Sequence, residues 1–436
     1  MSRFDDRESV SFGPWPFGSN NLAREDSLPR GHLRFAKNTD IYPSGKARER
    51  PGFTLRQAVV GDSLWSDGSL LVYRADNELR RFDPQTNTST TLFSGLFPAG
   101  GDLVYCETPQ GIYISDSRDA WHLDPYALTV RPWGLLPPQG PPMCAASNDG
   151  GLFAGTVQVA ITYSMASGEE SGASPAVSTL IPAFGGVQLS SIPQPMQAHA
   201  ASINVYATAP NGTEFEWVSR LPVGTTSYLV GTGPRGRVLQ SQFYTSMPAG
   251  QCATEYNGVL YVGVGRLLLW SPPLWYGQCD MVDNYIEFGA DIDMITPAGP
   301  RAGGGGVFVA AGRKTTFHPG AKPKDFKQVD VASGAIRGSC ARVPGDMFKI
   351  QGLPSYELPL WVDRDGFLTL GLADGTTLRP TSDRYVMERG ETAATFVRSL
   401  RGVSQYVVTM PGPTAKSAMA FTDAAEMTLI RRADPC

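Results

Sequence analysis

The chain has 436 residues, 18% of them charged, a net charge of −4, 48 glycines and 35 prolines. The length allows a large core and two or more domains. The acidic balance excludes a broad basic coat for nucleic acid, though not a channel that DNA merely slides through. Charge below the roughly 25% of ordinary globular chains, with abundant Gly and Pro in no collagen period, favours many short strands and turns.

No run of about 18 apolar residues is present, so stable membrane insertion is not expected. The charged start, Met1 to Glu8, lacks the apolar core of a secretory signal, so synthesis in a cytoplasm is expected. Cys106, Cys144, Cys252, Cys279, Cys340 and Cys436 are scattered without a C-x-x-C. That spacing argues against a zinc site or a disulfide framework.

Residues 1–30 read as an extended N-terminal arm. Phe12, Trp15 and Phe17 lie among prolines and glycines, which block helix and hold the backbone extended. The arm either packs along its own domain or docks on a neighbouring subunit. From Asn38 to Ile41 a strand begins, Pro43-Ser44-Gly45 turns it, and Lys46 to Arg50 returns with outward charges.

A repeated pattern then sets in: two short apolar runs joined by a polar turn. Leu70–Tyr73 with Leu79–Asp83 is one copy, and Leu103–Tyr105 with Ile112–Ile114 the next. Asp83-Pro84 and Asp124-Pro125 mark turns. A proline-rich linker, Pro137 to Pro142, closes this first part, residues 31–147. Residues 148–247 read differently. Strands are expected at Val157–Tyr163, Ala176–Ile181, Ile203–Thr208, Phe215–Arg220 and Ser227–Val230. About seven strands in this length fit an immunoglobulin-like β-sandwich.

The hairpins return in residues 248–436. Val259–Val262 pairs with Leu267–Trp270 after the Asn257-Gly258 turn, Val307–Ala310 with Thr315–His318, and Leu360–Val362 with Phe367–Leu370 across a type I′ turn at Asp365-Gly366. Residues 321–358 read as loop-rich. The last hairpins are expected at Thr395–Met410 and Ala418–Arg431, and the Asn38–Arg50 strands could pair with them to close a ring. Hairpins repeated every few tens of residues indicate a β-propeller.

No catalytic set emerges. His32, His122, His199 and His318 lack metal spacing. Asp291 and Asp293 alternate on an expected strand, and a solvent-facing pair explains them better than a glycosidase pair. Gly303–Gly306 leads to a strand, not to the helix a phosphate loop needs. Trp65, Trp121, Trp270, Trp275 and Trp361 could line a sugar surface, but filling the space between blades is the better account. Catalytic, metal and cofactor residues are therefore none.

Asn38, Asp40, Gly45, Arg48, Arg50, Pro51, Gly52 and Phe53 form an N-x-D segment, a glycine turn, basic residues and R-P-G-F. This opening resembles that of propeller-type tailed-bacteriophage virion proteins, the tail nozzle and hub proteins also known as packaged-DNA stabilisation proteins. The run TYSMASGEESGASP followed by INVYATAPNGTEFEWVSRLPVGTTSY resembles a fibronectin type III module, which sits inside the propeller in this group. The resemblance implies an all-β fold, a β-propeller interrupted by an immunoglobulin/fibronectin III-like β-sandwich. It implies a non-catalytic bacteriophage tail component in a homo-oligomeric ring, made in the bacterial cytoplasm and located in the virion. Its partners would be other tail proteins (adaptor, tube or fibres), with transient passage of DNA. Ring assembly needs a heterologous interface, for which the arm 12–18 is the candidate. Nozzle proteins are commonly longer, so a tail-tip or baseplate position stays open. A glycan-binding adhesin and a propeller glycosidase are the alternatives.

Overall fold

The computed structural model describes residues 13–36, 39–42, 44–49, 56, 61–96, 102–116, 118–233, 235–299, 304–320, 323, 327–348, 350–387, 390–400, 403–410 and 428–431. The fold is all-β. Its described helical turns are the short 3-10 segments Glu25–Ser27 and Gly345–Met347. Among the described residues no helix is long and apolar enough to cross a membrane.

Two compact units emerge. One combines residues 1–60 with 296–436; the other is residues 61–295. In the second unit, three four-stranded antiparallel sheets are each laid down in order of sequence, apart from one short excursion. The first is Asp62–Ser66, Leu71–Ala75, Glu78–Asp83 and Thr88–Ser94. The second is Val104–Thr108, Gly111–Ser115, Ala120–Leu123 and Val130–Pro132. The third is Cys252–Tyr256, Val259–Val264, Leu267–Trp270 and Tyr285–Glu287. The other unit holds a fourth sheet, whose first strand, Ile292–Ala298, begins at the end of residues 61–295. Gly306–Ala311, Lys314–Pro319 and Val329–Ser333 complete it. A fifth follows, Ala341–Pro344, Glu357–Val362, Leu368–Gly371 and Thr377–Leu378, then a three-stranded sixth, Ala394–Leu400, Val403–Thr409 and Thr428–Arg431.

Within each unit, successive sheets pack face to face, which is the arrangement of propeller blades. Val72 and Leu79 of the first share a core with Ile112 and Ile114 of the second. Trp65 stacks on Tyr105 at 5.7 Å, and Phe93 meets Trp121 at 4.5 Å. Tyr113 of the second sheet joins Leu260, Val262 and Leu269 of the third. Phe308 of the fourth lies 5.4 Å from Trp361 of the fifth, and the fifth buries Leu360 and Leu370 with Tyr406 of the sixth. Offset and tilted ring pairs at this spacing add about 0.5–1.5 kcal/mol each beyond their buried area. Each of the eight tryptophans is buried or half-buried, as expected of residues filling the space between sheets.

All five expected inner hairpins are present. A recurring carboxylate fixes turns between the other strands: the side-chain oxygens of Asp67, Asp83, Asp116, Asp124 and Asp280 accept backbone N–H bonds two and three residues on. This Asx arrangement makes a turn locally and cheaply. Asn257 and Gly258 both have positive φ (53° and 77°), as a type I′ turn requires. At Asp363–Gly366 the expectation fails. Only Gly366 has positive φ, the Gly366 N–H donates to the Asp363 carbonyl, and Asp363 N–H donates to that of Phe367. The turn is therefore a three-residue loop with a glycine bulge, held by Asp363, whose carboxylate also pairs with Arg379 at 2.8 Å. The expected loop-rich stretch 321–358 contributes two outer strands, Val329–Ser333 and Ala341–Pro344, whose patterning is weak because they are only partly buried.

Between the second and third sheets the chain builds a two-sheet module. Met143–Leu152, Gly185–Ser190 and Tyr228–Val230 form a three-stranded sheet; Val177–Ile181, Gly155–Ser164, Ser202–Ala207 and Glu216–Pro222 form a four-stranded one. Both sheets contribute to one core, including Val157, Val159, Ile161, Val187, Leu189, Ile203, Val205 and Val230. Two strands were not expected, Met143–Leu152 and Gly185–Ser190. They are rich in Gly, Ser and Ala and lack the β-branched alternation that marks a strand.

Candidate interaction surface and its support

The expected sequence motif divides in the structure. Asn38, Arg50, Pro51, Gly52 and Phe53, and Phe12 of the arm, lie outside the described residues. Thr39–Ile41 pairs antiparallel with Ala47–Glu49, so Asp40 faces Arg48 in register. This hairpin forms its own two-stranded sheet and, among the described residues, adds no strand to the sixth sheet, contrary to the ring-closing expectation. Its three-residue strands use their ladder on each other. Its link to the sixth sheet is electrostatic: buried Asp40 lies 3.7 Å from Arg398.

The arm packs along its own unit. Trp15 N–H donates to the Gly45 carbonyl at 2.8 Å, Phe17 N–H to Gly31, and Asn20 N–H to Leu33. Gly45 has φ +77°, and a Cβ there would lie 2.7 Å from the Trp15 nitrogen, so glycine is required by both conformation and space. Asn21 clamps Val386 in both directions, its amide donating at 2.6 Å and its oxygen accepting at 3.0 Å. Trp15 is half-buried, whereas Phe17 is 58% exposed. Asp291 is exposed and precedes its strand, while Asp293 is buried in it, so the two do not form the solvent-facing pair expected. Among the described residues, no group of three or more His, Cys, Asp or Glu is gathered to hold a metal.

The module is seated firmly on the second and third sheets. On its exit, Tyr244–Ser246 pairs with Gln278–Asp280. The backbone of Gly134 runs so close to Gly277 that a Cβ at Gly134 would lie 2.0 Å from the Gly277 carbonyl oxygen. Glu169, 2% exposed, reaches from the module into this seam and accepts the Gly277 N–H at 2.6 Å. Burial pushes its carboxyl up to about 7, against the pull of that N–H and of the Arg131 charge. His199 holds the Gly134 carbonyl through Nε2 at 2.7 Å, and burial lowers its pKa; His122, likewise lowered by burial, sits against Gln110. The neighbouring Glu170 is internal. It accepts bonds from Thr162, Asn204 (2.8 Å) and Tyr206 (2.9 Å) and pairs with Arg237 at 2.6 Å, tying the face of the four-stranded sheet together.

Away from the seam, the turns 152–155 and 181–185 meet at the module's apex. Leu152 lies opposite Gly185 and Thr156 opposite Leu180, and the Gly151 N–H donates to the Phe184 carbonyl at 2.7 Å. Three large apolar side chains stand in solvent here: Phe153 (83% exposed), Phe184 (75%) and Leu180 (74%). Phe184 has φ +61°, a left-handed conformation that costs a bulky residue about 1–3 kcal/mol. No lysine or arginine occurs between Arg131 and Arg220, yet charge reaches this end of the module: Asp149 and Glu214 are exposed, the latter in the turn whose Asn211 bonds Thr156, and Arg235 donates to the Ala207 carbonyl. Sequence reading missed this apex, because two of its strands were unrecognised; the long gap in basic residues was the signal available.

No family model matches the chain, and no curated protein matches it. Solved structures align with it in part, among them the following three. The AfRom2 CNH domain does so over 87% of this chain and 96% of its own length, at 10% identity and a TM-score of 0.30. The extracellular domain of BT3049 from B. thetaiotaomicron aligns over 80% of this chain at 10% identity and a TM-score of 0.30; the chain spans 39% of that domain's length. The extracellular domain of BT4673 from the same organism gives 12% identity and a TM-score of 0.21, over 80% of this chain and 48% of that one. Likenesses this distant carry no functional argument, and the propeller-like reading rests on the chain's own succession of four-stranded antiparallel sheets.

Proposed function

We propose that the chain is a non-catalytic structural component of a bacteriophage tail, a β-propeller with a fibronectin III-like sandwich inserted between its second and third blades. The observation that carries this reading is the placement of a seven-stranded, two-sheet module within a blade series headed by the Asn38–Phe53 motif. That combination is what the resemblance to nozzle and hub proteins implies. Buried Asp40, paired with Arg398, gives one motif residue a structural reason to be acidic. The mechanism is geometric. A rigid blade stack acts as a wedge, copies assemble as a ring around the tail axis, and the lumen passes or retains DNA without a basic coat. Its neighbours are other tail proteins. The internal position of the tryptophans speaks against a tryptophan platform for glycans.

The test is gold-labelled antibody against the chain, imaged on intact particles of a phage that encodes it. Label at the capsid–tail junction supports a nozzle or hub position, and label at the far end a tail-tip or baseplate position. Absence of label from every particle removes the tail reading.

A further inference from the structure

We infer that the seam between the two-sheet module and the second and third sheets is a proton-operated latch, closed while the Glu169 carboxyl carries a proton and loosened when that proton leaves. This goes beyond the tail reading and does not rest on it. Glu169 reaches out of the module, 2% exposed, and accepts the Gly277 N–H at 2.6 Å. A buried carboxylate needs several donors or a bonded cation to stay ionised. The facing cation is Arg131 of the second sheet, whose charge acts on Glu169 but whose Nη1 is buried without a hydrogen-bond partner among the described residues. Neutral, Glu169 is served by the one N–H it has; ionised, it draws Arg131 or water into the seam. The seam cannot yield gradually. A Cβ at Gly134 would lie 2.0 Å from the Gly277 carbonyl oxygen, and one at Gly172, in the same turn segment as Glu169, 1.9 Å from the Tyr244 carbonyl oxygen. Backbone contacts this close leave no room at these points for water or a repositioned guanidinium, so admitting either parts the surfaces. Packed contacts of this kind switch between discrete arrangements rather than deform.

The other titratable groups at the seam act at lower pH. His199 holds the Gly134 carbonyl and His122, cross-strand from Arg131, that of Gln110, each through Nε2 at 2.7 Å, so each neutral ring carries its proton on Nε2. His122 Nδ1 is buried without a hydrogen-bond partner among the described residues. Asp124 of the second sheet acts on both His122 and Arg131, and the paired Tyr244 and Asp280 flank the third-sheet side. Acid places positive charge on the histidines beside Arg131, below their ordinary value of about 6.5. The carboxyl is the group poised near neutrality, pushed up to about 7 by burial from an ordinary 4.5. The closed seam therefore holds the Glu169 proton more tightly than the open one. Its contribution to closure is full below about pH 4.5, falls as pH rises and is gone above about 7.

Hydrogen–deuterium exchange on the full chain between about pH 5 and 8, corrected for the intrinsic exchange rate, tests this through peptides spanning Gly277 and residues 168–172. The reference is Glu169→Gln, which keeps an acceptor for the Gly277 N–H and does not titrate. Relative to that variant, the wild-type opening constant of these peptides is expected to rise by about tenfold per pH unit from about 5 towards 7 and to level off above. Taking the ratio cancels the histidine contribution. Peptides covering Val157–Ile161 and Val259–Val262, in the cores of the module and of the third sheet, should keep their protection throughout. Arg131→Gln removes the charge that favours the ionised carboxyl, so it should move the levelling-off to higher pH. It carries the test if circular dichroism shows Glu169→Gln misfolded. A wild-type seam that opens with the same pH dependence as Glu169→Gln, seam and core peptides that lose protection together, or an Arg131→Gln profile that levels off where wild type does overturns the proposal.

Discussion

The two-sheet module of residues 143–230 and the fifth sheet are both small antiparallel β structures, yet they are specified in different ways. The fifth sheet is a run of neighbours. Glu357–Val362 pairs with Leu368–Gly371 across a turn that Asp363 builds from its own vicinity, with Arg379 closing over it. The module's pairings skip along the chain. Gly155–Ser164 lies between Val177–Ile181 and Ser202–Ala207, and Met143–Leu152 finds Gly185–Ser190 on the other sheet. What ties these skipped pairings together is a buried polar centre at Glu170, which accepts from Thr162 on Gly155–Ser164 and from Asn204 and Tyr206 on Ser202–Ala207. Local turn chemistry suffices for the blade. The module needs long-range polar ties, whose loss is costly because partners are left buried and unpaired.

The sharpest way to break the contrast is Glu170→Ala. It leaves Thr162, Asn204 and Tyr206 without their acceptor and Arg237 without its counter-ion. A loss of about 2–4 kcal/mol is expected, mainly from the buried hydroxyl and amide groups left unpaired, because Arg237 is 54% exposed and its pair is screened by solvent. Urea unfolding followed by circular dichroism would measure it, and an effect under 1 kcal/mol would show the centre to be dispensable.

Glu169 offers a middle-sized effect with a direction. Its carboxyl is raised to about 7 from an ordinary 4.5, so the folded state binds the proton more tightly. The associated stability is fully present below about pH 4.5 and is lost as pH rises through about 7, on the order of 3 kcal/mol at most. Glu169→Gln keeps an acceptor for the Gly277 N–H and removes the titration, so the fall in melting temperature between pH 5 and 8 should flatten. His122 and His199 work the other way. Their lowered pKa values give stability that is present above the ordinary histidine value of about 6.5 and lost as pH falls. A Glu169→Gln profile identical to wild type would remove the carboxyl from this role.

The smallest effect is expected in the other unit. Asn21→Ala deletes the two-way amide clamp on Val386 and should cost about 1 kcal/mol. Limited proteolysis within residues 13–33 would then run faster, while an unchanged cleavage rate would mean that the Trp15–Gly45 and Asn20–Leu33 backbone bonds hold the arm unaided.

Much of this protein could be read from its residues because it is written locally. Asn257-Gly258, Asp83-Pro84 and Asp124-Pro125 each make a turn from their own atoms, and the apolar runs beside them alternate with the period of a strand. Those features determined the all-β class and the five inner hairpins. Tertiary structure alone decided the rest. Glycine- and alanine-rich strands such as Met143–Leu152 form only because Gly185–Ser190 arrives to pair with them. The pairing turn at Asp363 depends on a bulge that the Asp365-Gly366 dipeptide does not distinguish from a type I′ turn. The buried acids Glu169 and Glu170 stand side by side in one turn, yet one enters the seam and the other the face of the sheet. Their neighbours come from positions tens to more than a hundred residues away, and no local pattern records such meetings.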